Sequence, residues 1–135
     1  MDAGCIITQP LYRIRKVIDK IGLYSPVSKG TIVDWTHPST LDFLKVDKSL
    51  LQKNNLSGGI VAVNYQFKKA VQIIKRWKEC ALIKECIAPM GSNRTNHRQD
   101  QAVLTILADQ SNITDVMPKQ FLGCMVHRDV DKYCK

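Results

Sequence analysis

Hydrophobic residues recur at helical spacing in two stretches of the chain. In residues 10–21, Leu11, Ile14 and Ile18 fall three or four positions apart behind a proline, with basic side chains between them. The same spacing runs through residues 66–84, where Lys68, Lys69, Lys75 and Arg76 lie on the opposite, polar side. Such spacing places the apolar residues on one face of a helix. Both stretches are therefore predicted to be amphipathic helices.

Shorter apolar runs bounded by turn-forming residues predict strands. Residues 30–35 form one such run, and either Ser39 or Thr40 then caps a short helix over residues 41–44. Two glycines lead into the apolar residues of the segment 58–63. We expect this segment to be a strand buried on both faces, as at the centre of an α/β sheet.

The last third of the chain predicts a polar loop, a helix and a final strand. Residues 92–98 form the loop, and Asp100 is placed to cap the helix that follows. Residues 121–126 predict the strand. Four apolar side chains of the helix are expected to pack inward: Val103, Leu104, Ile106 and Leu107.

Length and charge narrow the choices further. A chain of 135 residues is expected to form a single domain, over residues 1–135, with one core. Its formal net charge of +8 favours an anionic partner, although a solvated basic surface is the alternative. The basic residues are spread along the chain without a nucleic-acid-binding motif, so we expect no nucleic acid partner. No apolar run is long enough to predict a membrane span.

Cysteines and glycosylation sequons bear on the compartment. The five cysteines contain no Cys-x-x-Cys pair, which gives little support to a zinc site. Cys80 and Cys86 can form a disulfide only if a helix ends between them, and otherwise remain two thiols. Three sequons begin at Asn55, Asn93 and Asn112, and they would accept glycans only in the secretory lumen.

Three segments in sequence order carry a resemblance to a known family. They are residues 77–82 (WKECAL), 86–92 (CIAPMGS) and 96–104 (NHRQDQAVL). Together they resemble nucleotide-diphospho-sugar transferases, in which a Trp-bearing helix precedes a similar Cys-Ile-Ala-Pro loop and a His-Arg-x-Asp-Gln helix start. The resemblance implies that Asp100 and Gln101 are catalytic residues that hold the donor sugar, with His97 and Arg98 binding substrate. Taken alone, Asp100 is better explained as a helix cap, and the surrounding matches are what favour the substrate-binding role.

Two shorter segments add to this resemblance. Residues 56–64 are similar to the glycine-containing turn and strand that line the donor sugar in A-type glycosyltransferases, which implies substrate contacts from Ser57, Gly58 and Gly59. A tight turn before any buried strand is the alternative. Trp35 begins a segment that resembles the family's Trp-Thr segment near the acceptor, which makes Trp35 a further predicted substrate-binding residue.

The first residues resemble the family's metal-binding segment. Met1-Asp2-Ala3-Gly4 is similar to an Asp-Ala-Gly segment in which aspartate binds Mn²⁺ or Mg²⁺ beside the diphosphate, although Gly4 departs from the full Asp-x-Asp pattern. Carboxylate oxygen suits these hard cations. Asp2 is thus the predicted metal ligand. In the family the nucleotide-binding strands precede this aspartate, so the resemblance implies a partial Rossmann-like α/β fold, the C-terminal half of a glycosyltransferase catalytic domain, with the N-terminal nucleotide-binding strands absent.

The predicted function is transfer of a monosaccharide from a nucleotide diphosphate sugar to a hydroxyl of a glycan, protein or lipid acceptor. The alternative is a truncated, catalytically inactive remnant that acts as a binding or interaction module. A strand left at the edge of the partial sheet favours a homo-oligomer. The expected location is the Golgi lumen if a signal anchor lies upstream, and the cytoplasm otherwise.

Overall fold

The computed structural model describes Met1 and residues 4–125 and shows a mixed α/β fold. Its α-helices are, in chain order, Tyr12–Ile21 (α1), Ile32–Trp35 (α2), Pro38–Phe43 (α3), Lys68–Ala81 (α4), Lys84–Ile87 (α5) and Gln99–Gln110 (α6). Its strands are Ile6–Ile7 (β1), Leu23–Tyr24 (β2), Val27–Thr31 (β3), Asn54–Leu56 (β4), Ala62–Val63 (β5) and Cys124–Met125 (β6). Single 3₁₀ turns occur at Lys48–Leu50 and Thr114–Val116.

The strands of the described region pair two by two, always antiparallel. β1 pairs with β6, β2 with β5, and β3 with β4. The prediction of a buried central strand over residues 58–63 is wrong in extent and burial. Only the two residues of β5 form a strand, both are half-buried, and Gly58 and Gly59 lie in a turn. Among the described residues, β2 is the one strand that pairs with β5, and no second described strand covers its other edge.

Helix α6 lies at the centre of the core. Eight consecutive residues, 102–109, are buried, so the helix has no solvent-facing side over two turns. The four side chains predicted to pack inward are all among them, which confirms that prediction. Helices α2, α4 and α5 and strand β4 pack around α6. The Thr105 hydroxyl joins α6 to β4, since it accepts the Leu56 N–H (3.0 Å) and donates to the Gln101 carbonyl within α6 (2.8 Å).

The two amphipathic helices predicted from spacing are confirmed as α1 and α4. α1 buries Ile14 against the core, and its basic residues face outward. α4 ends three residues before the predicted boundary at 84. It buries Ala70, Ile73 and Cys80 most deeply, while the bulkier apolar residues beside them are half-buried.

The segment 30–35 is predicted as one strand and instead divides at Thr31. β3 ends there, and residues Ile32–Trp35 turn into α2. The reason is a capping box: the Asp34 carboxylate accepts the Thr31 N–H (2.7 Å) and the Thr31 hydroxyl (2.8 Å). These bonds lower the pKa of Asp34.

The short helix predicted at 41–44 begins earlier and has a different cap. α3 starts at Pro38, and its cap is His37, whose Nδ1 accepts the Ser39 N–H at 3.3 Å. The prediction that Ser39 or Thr40 caps this helix is therefore wrong. Pro38 explains the shift, because proline at the first helical position needs no N–H partner. Thr40 is buried and donates to the Cys86 carbonyl at 3.0 Å.

A disulfide joins Cys80 to Cys86. Because α4 ends at Ala81, the chain turns back through Leu82 and Ile83, and the two Cα atoms lie 5.4 Å apart. That spacing is within the usual range for a disulfide. Of the two alternatives that the sequence left open, the structure contains the bond, which ties the end of α4 to α5.

A polar cluster closes the other end of α6. Asp109 is fully buried, and its Oδ1 accepts the Thr114 hydroxyl and lies 3.5 Å from Lys53 Nζ. Lys53 also contacts the exposed Asp115 carboxylate at 3.0 Å. Burial raises the pKa of Asp109, and the bonds from Thr114 and Lys53 partly offset that rise.

Within the described residues, no helix has both the length and the apolar character needed to cross a membrane.

Replacing both bonded cysteines with alanine should lower the free energy of unfolding by about 2 kcal/mol, because the short closed loop no longer restricts the unfolded chain. Urea denaturation of the Cys80→Ala/Cys86→Ala protein and of the unsubstituted chain would measure this difference. A thiol reductant should destabilise the unsubstituted chain by a similar amount and leave the double variant unchanged. Equal stability of the oxidised and reduced forms would contradict the prediction.

Candidate functional site

Two of the predicted donor-sugar segments lie in direct contact. The turn at residues 57–59 packs on the first turn of α6, with Gly58 facing Gln101. A Cβ on Gly58 would lie 3.1 Å from Gln101 Cβ and 3.2 Å from Gln101 Cα. Only glycine allows this approach without displacing the helix. We refer to residues 57–59 and 98–101 together as the junction.

The turn of the junction is held by bonds to the segment that precedes β3. The Ser57 N–H donates to the Pro26 carbonyl at 2.7 Å, and the Ser57 carbonyl accepts the Ser25 hydroxyl at 2.5 Å. Ser25 and Pro26 are both buried. Residues 57–59 themselves are half-exposed. This part of the junction is therefore bonded to a buried segment on one side and reaches solvent on the other.

The helix side of the junction presents a free carboxylate. Asp100 is the second residue of α6, it is exposed, and no described N–H group donates to its carboxylate. The predicted capping role is therefore wrong, since the cap position is Arg98 and it makes no side-chain capping bond. The Trp77 indole N–H donates to the Asp100 carbonyl at 2.9 Å, which fixes the start of α6 against α4.

Backbone strain marks the same helix start. Gln99 adopts a left-handed conformation, with φ at 38°. For a residue other than glycine this costs about 1 to 2 kcal/mol, and strained residues cluster at functional sites. The surrounding bonds must hold this conformation in place.

Arg98 and Trp35 form a stacked pair beside the junction. The Arg98 guanidinium carbon lies 4.1 Å from the centre of the Trp35 ring. The backbone N–H of Arg98 donates to the backbone carbonyl of Trp35 at 2.9 Å. Gly30 lies under the indole, where any Cβ would overlap the ring nitrogen. A cation stacked on an aromatic face is stabilised by the ring's quadrupole. The pair keeps a positive charge at the surface, two residues before Asp100 in the chain.

His97 lies beneath this surface and is 1% exposed. Its Nδ1 accepts the His37 N–H at 3.2 Å, so the proton is on Nε2, which donates to the Ile87 carbonyl at 3.0 Å. Desolvation lowers the pKa of His97, and the bond to Ile87 opposes that shift. His97 thus ties the segment before α3 to the end of α5. Its predicted substrate contact stays a prediction, and that contact would require the ring to give up one of these bonds.

The structure therefore brings together most of the predicted site residues. Those at the junction are Ser57, Gly58, Gly59, Arg98, Asp100 and Gln101. Trp35 lies beside them through its stack with Arg98, and His97 lies beneath. Sequence reasoning gave no supporting role to Trp77 or Gly30. Trp77 belongs to a recognised segment, but neither residue's contact has a sequence signal of its own.

Asp2, the predicted metal ligand, lies outside the described residues. In the part of the chain that the structure describes, no group of three or more His, Cys, Asp or Glu side chains is arranged to hold a metal ion. Binding of Mn²⁺ or Mg²⁺ at Asp2 therefore stays a prediction.

Comparison with protein-family models, with curated proteins and with solved structures finds no match for this chain. The similarity described above thus rests on the sequence segments themselves.

Replacing His97 with alanine should lower the free energy of unfolding by about 3 kcal/mol, because it leaves a cavity and two half-buried backbone groups without partners. His97→Asn, which can still accept the His37 N–H, should lose less. Thermal or urea unfolding would measure both. If His97→Ala lowers the free energy of unfolding by less than a typical surface substitution does, His97 does not link the segment before α3 to the end of α5 in the way described.

His97 should also make stability depend on pH. Because folding lowers its pKa from 6.5, the unfolded chain binds this proton more readily than the folded chain. Its contribution is therefore fully present above pH 6.5 and is lost as the pH falls through the lower folded value. Unfolding curves at several pH values should show a steeper loss for the unsubstituted chain than for His97→Asn, and parallel curves would contradict this.

Gly58→Ala should destabilise the chain by about 1 kcal/mol, because the new methyl group presses on Gln101. Urea unfolding gives the size of the effect, and a crystal structure of the variant should show the 57–59 turn moved away from α6. An unchanged turn with unchanged stability would be inconsistent with the close contact.

Proposed function

We propose that the chain is a glycosyltransferase-like protein that takes a nucleotide diphosphate sugar at the junction and transfers the monosaccharide to an acceptor hydroxyl. The contact between Gly58 and Gln101 is the observation that carries the proposal. Two segments that resemble separate donor-sugar motifs of one enzyme family are distant in sequence and adjacent in space. A resemblance by chance in either segment would give no reason for them to meet.

The junction offers suitable chemistry for a sugar. The Asp100 carboxylate is exposed and unbonded among the described residues, and the half-exposed Gln101 amide follows it on the same turn. A carboxylate and an amide bind vicinal hydroxyls, the former by charge-assisted hydrogen bonds. The first turn of α6 also carries backbone N–H groups without helical partners. In this proposal Asp100 and Gln101 orient the donor sugar for transfer.

Arg98 supplies the charge that a diphosphate needs. Its guanidinium is exposed, and its stack on Trp35 limits the orientations that it samples. Arginine suits phosphate because its donors match two phosphate oxygens at once. The half-exposed Trp35 then borders the acceptor side. A divalent metal bound by Asp2 would neutralise the charge of the diphosphate. We also propose that the chain is part of a Rossmann-like A-type glycosyltransferase fold.

A second candidate is a binding module without transferase activity. Strands of the described region form three separate antiparallel pairs, whereas nucleotides in Rossmann-like folds bind at the carboxyl ends of parallel strands. A module of this kind would keep the sugar-binding groups of the junction and lack nucleotide affinity. Ile6 and Ile7 on the β1 edge are 60% and 52% exposed, which supports pairing with a second copy.

Asp100→Ala should reduce the affinity for a nucleotide diphosphate sugar about tenfold or more, because it removes a charge-assisted hydrogen bond. Isothermal titration calorimetry with uridine and guanosine diphosphate sugars, in the presence of Mn²⁺, would measure it. Asp42→Ala is the matched control, since Asp42 is also exposed and lies on α3 away from the junction. The control should bind like the unsubstituted chain.

The same titrations separate the two candidates. Heat from the donor, lost in Asp100→Ala and kept in Asp42→Ala, supports the transferase. A chain that is silent toward every donor but binds free glycans through Asp100 is a binding module. Equal donor binding by the unsubstituted chain and Asp100→Ala would contradict the assignment of the junction as the donor-binding site.

A further inference from the structure

The disulfide indicates an oxidising compartment. Its formation removes two protons and two electrons from the Cys80 and Cys86 thiols. A disulfide of another protein accepts them and is itself reduced to two thiols. Such bonds persist in the secretory pathway and outside cells, while the cytosol keeps thiols reduced. The secretory pathway also holds the machinery that attaches glycans to Asn-x-Ser/Thr sequons. The three sequons therefore merit comparison in the folded chain.

The sequon at Asn93 lies on an open loop. Asn93 is exposed, and its Oδ1 accepts the Thr95 N–H (2.8 Å) and the Thr95 hydroxyl (2.5 Å). Its Nδ2, the atom that would carry a glycan, donates to no described residue. Asn96 braces the loop from below through a bond from its Nδ2 to the Gly91 carbonyl. A glycan on Asn93 would extend into solvent without breaking any of these bonds.

The sequon at Asn112 lies just beyond the end of α6. Asn112 is exposed and adopts a left-handed conformation, with φ at 55°, which asparagine tolerates better than most residues. Its side chain makes no hydrogen bond within the described region. The bonds that hold this turn use its backbone instead, as the Asn112 N–H donates to the Asp109 carbonyl at 2.8 Å. A glycan is compatible with the fold here as well.

The sequon at Asn55 is closed. Asn55 is 0% exposed, and its Nδ2 donates to the Thr31 carbonyl at 2.5 Å across the β3–β4 pair. The next residue, Leu56, bonds to Thr105 of the central helix. A glycan on Asn55 would have to separate β4 from both neighbours. Chains modified at this position would not reach the fold.

We propose that this protein is N-glycosylated at Asn93 and Asn112, and not at Asn55, in an oxidising secretory compartment. In each transfer, a bond forms between Asn Nδ2 and C1 of the first sugar while the bond from C1 to a lipid-linked diphosphate breaks. The diphosphate departs with the electron pair, and one Nδ2 proton is released to it. This assignment is independent of the donor site, because it rests on the disulfide and on the exposure of three amides.

The direct test is peptide mapping of the protein purified from its native cells. Treatment with a peptide-N-glycosidase in ¹⁸O water converts each glycosylated asparagine to labelled aspartate. We expect label at 93 and 112, no label at 55, and a disulfide-linked pair of peptides that contain Cys80 and Cys86. Unmodified asparagine at 93 and 112 would overturn the proposal. A glycan at only one of them would overturn the other assignment, and a glycan on Asn55 in folded protein would overturn the burial argument.

Substitutions in the chain secreted from eukaryotic cells give a matched test of site choice. Asn93→Gln should remove one glycan, whereas Thr95→Ser, which preserves the sequon, should keep it. Asn112→Gln should remove the second glycan. Ser57→Ala abolishes the Asn55 sequon without changing Asn55, and it should leave the mass of the glycosylated protein otherwise unchanged. Loss of a glycan in Ser57→Ala would show that Asn55 is modified.

Discussion

The burial of α6 on every side is the constraint on which the rest of the structure depends. A helix without a solvent-facing side needs neighbours all round, and α2, α4, α5 and β4 supply them. β4 is the strand among these neighbours, so the packing around α6 does not require the strands to form one large sheet. The polar groups at the two ends of α6 are held separately, by Trp77 at the Asp100 carbonyl and by Lys53 and Thr114 at the Asp109 carboxylate. This arrangement leaves the first turn of α6 as the exposed end of an otherwise enclosed element.

The parts of the fold that sequence predicts well are those whose signal is periodic. α1 and α4 repeat apolar residues at helical spacing, and α6 carries a long apolar run behind a polar loop, so all three are recognisable. The segment 30–35 is not, because the β-branched Ile32 and Val33 favour a strand while one capping box turns them into a helix. The central strand expected over residues 58–63 fails for a related reason. An apolar run shows that a segment is covered, but the number of strands beside it is a property of the whole chain.

At the candidate site, the sequence identifies residue types and the structure decides which of them meet. The resemblance pointed to Ser57, Gly58, Asp100 and Gln101 from separate segments, and these lie together. It gave His97 the same status as Arg98, although one ring is buried between two backbone groups and the other residue is exposed. Adjacent residues at a helix start point in different directions, and motif spacing alone does not distinguish the supporting side chain from the exposed one. Disulfide formation was similarly open until the end of α4 was known.

The enclosure of α6 also has a consequence for motion. Backbone amides in an element with packed neighbours on all sides exchange with solvent mainly through global unfolding, whereas amides in loops exchange through local opening. The junction is attached to such an element on one side and to the buried Ser25–Pro26 segment on the other. A ligand that binds there meets groups that are already ordered, so little conformational entropy is lost on binding. Among the described segments that border the junction, the polar loop over residues 92–97 is the more exposed, so slow, ligand-dependent movement is expected there.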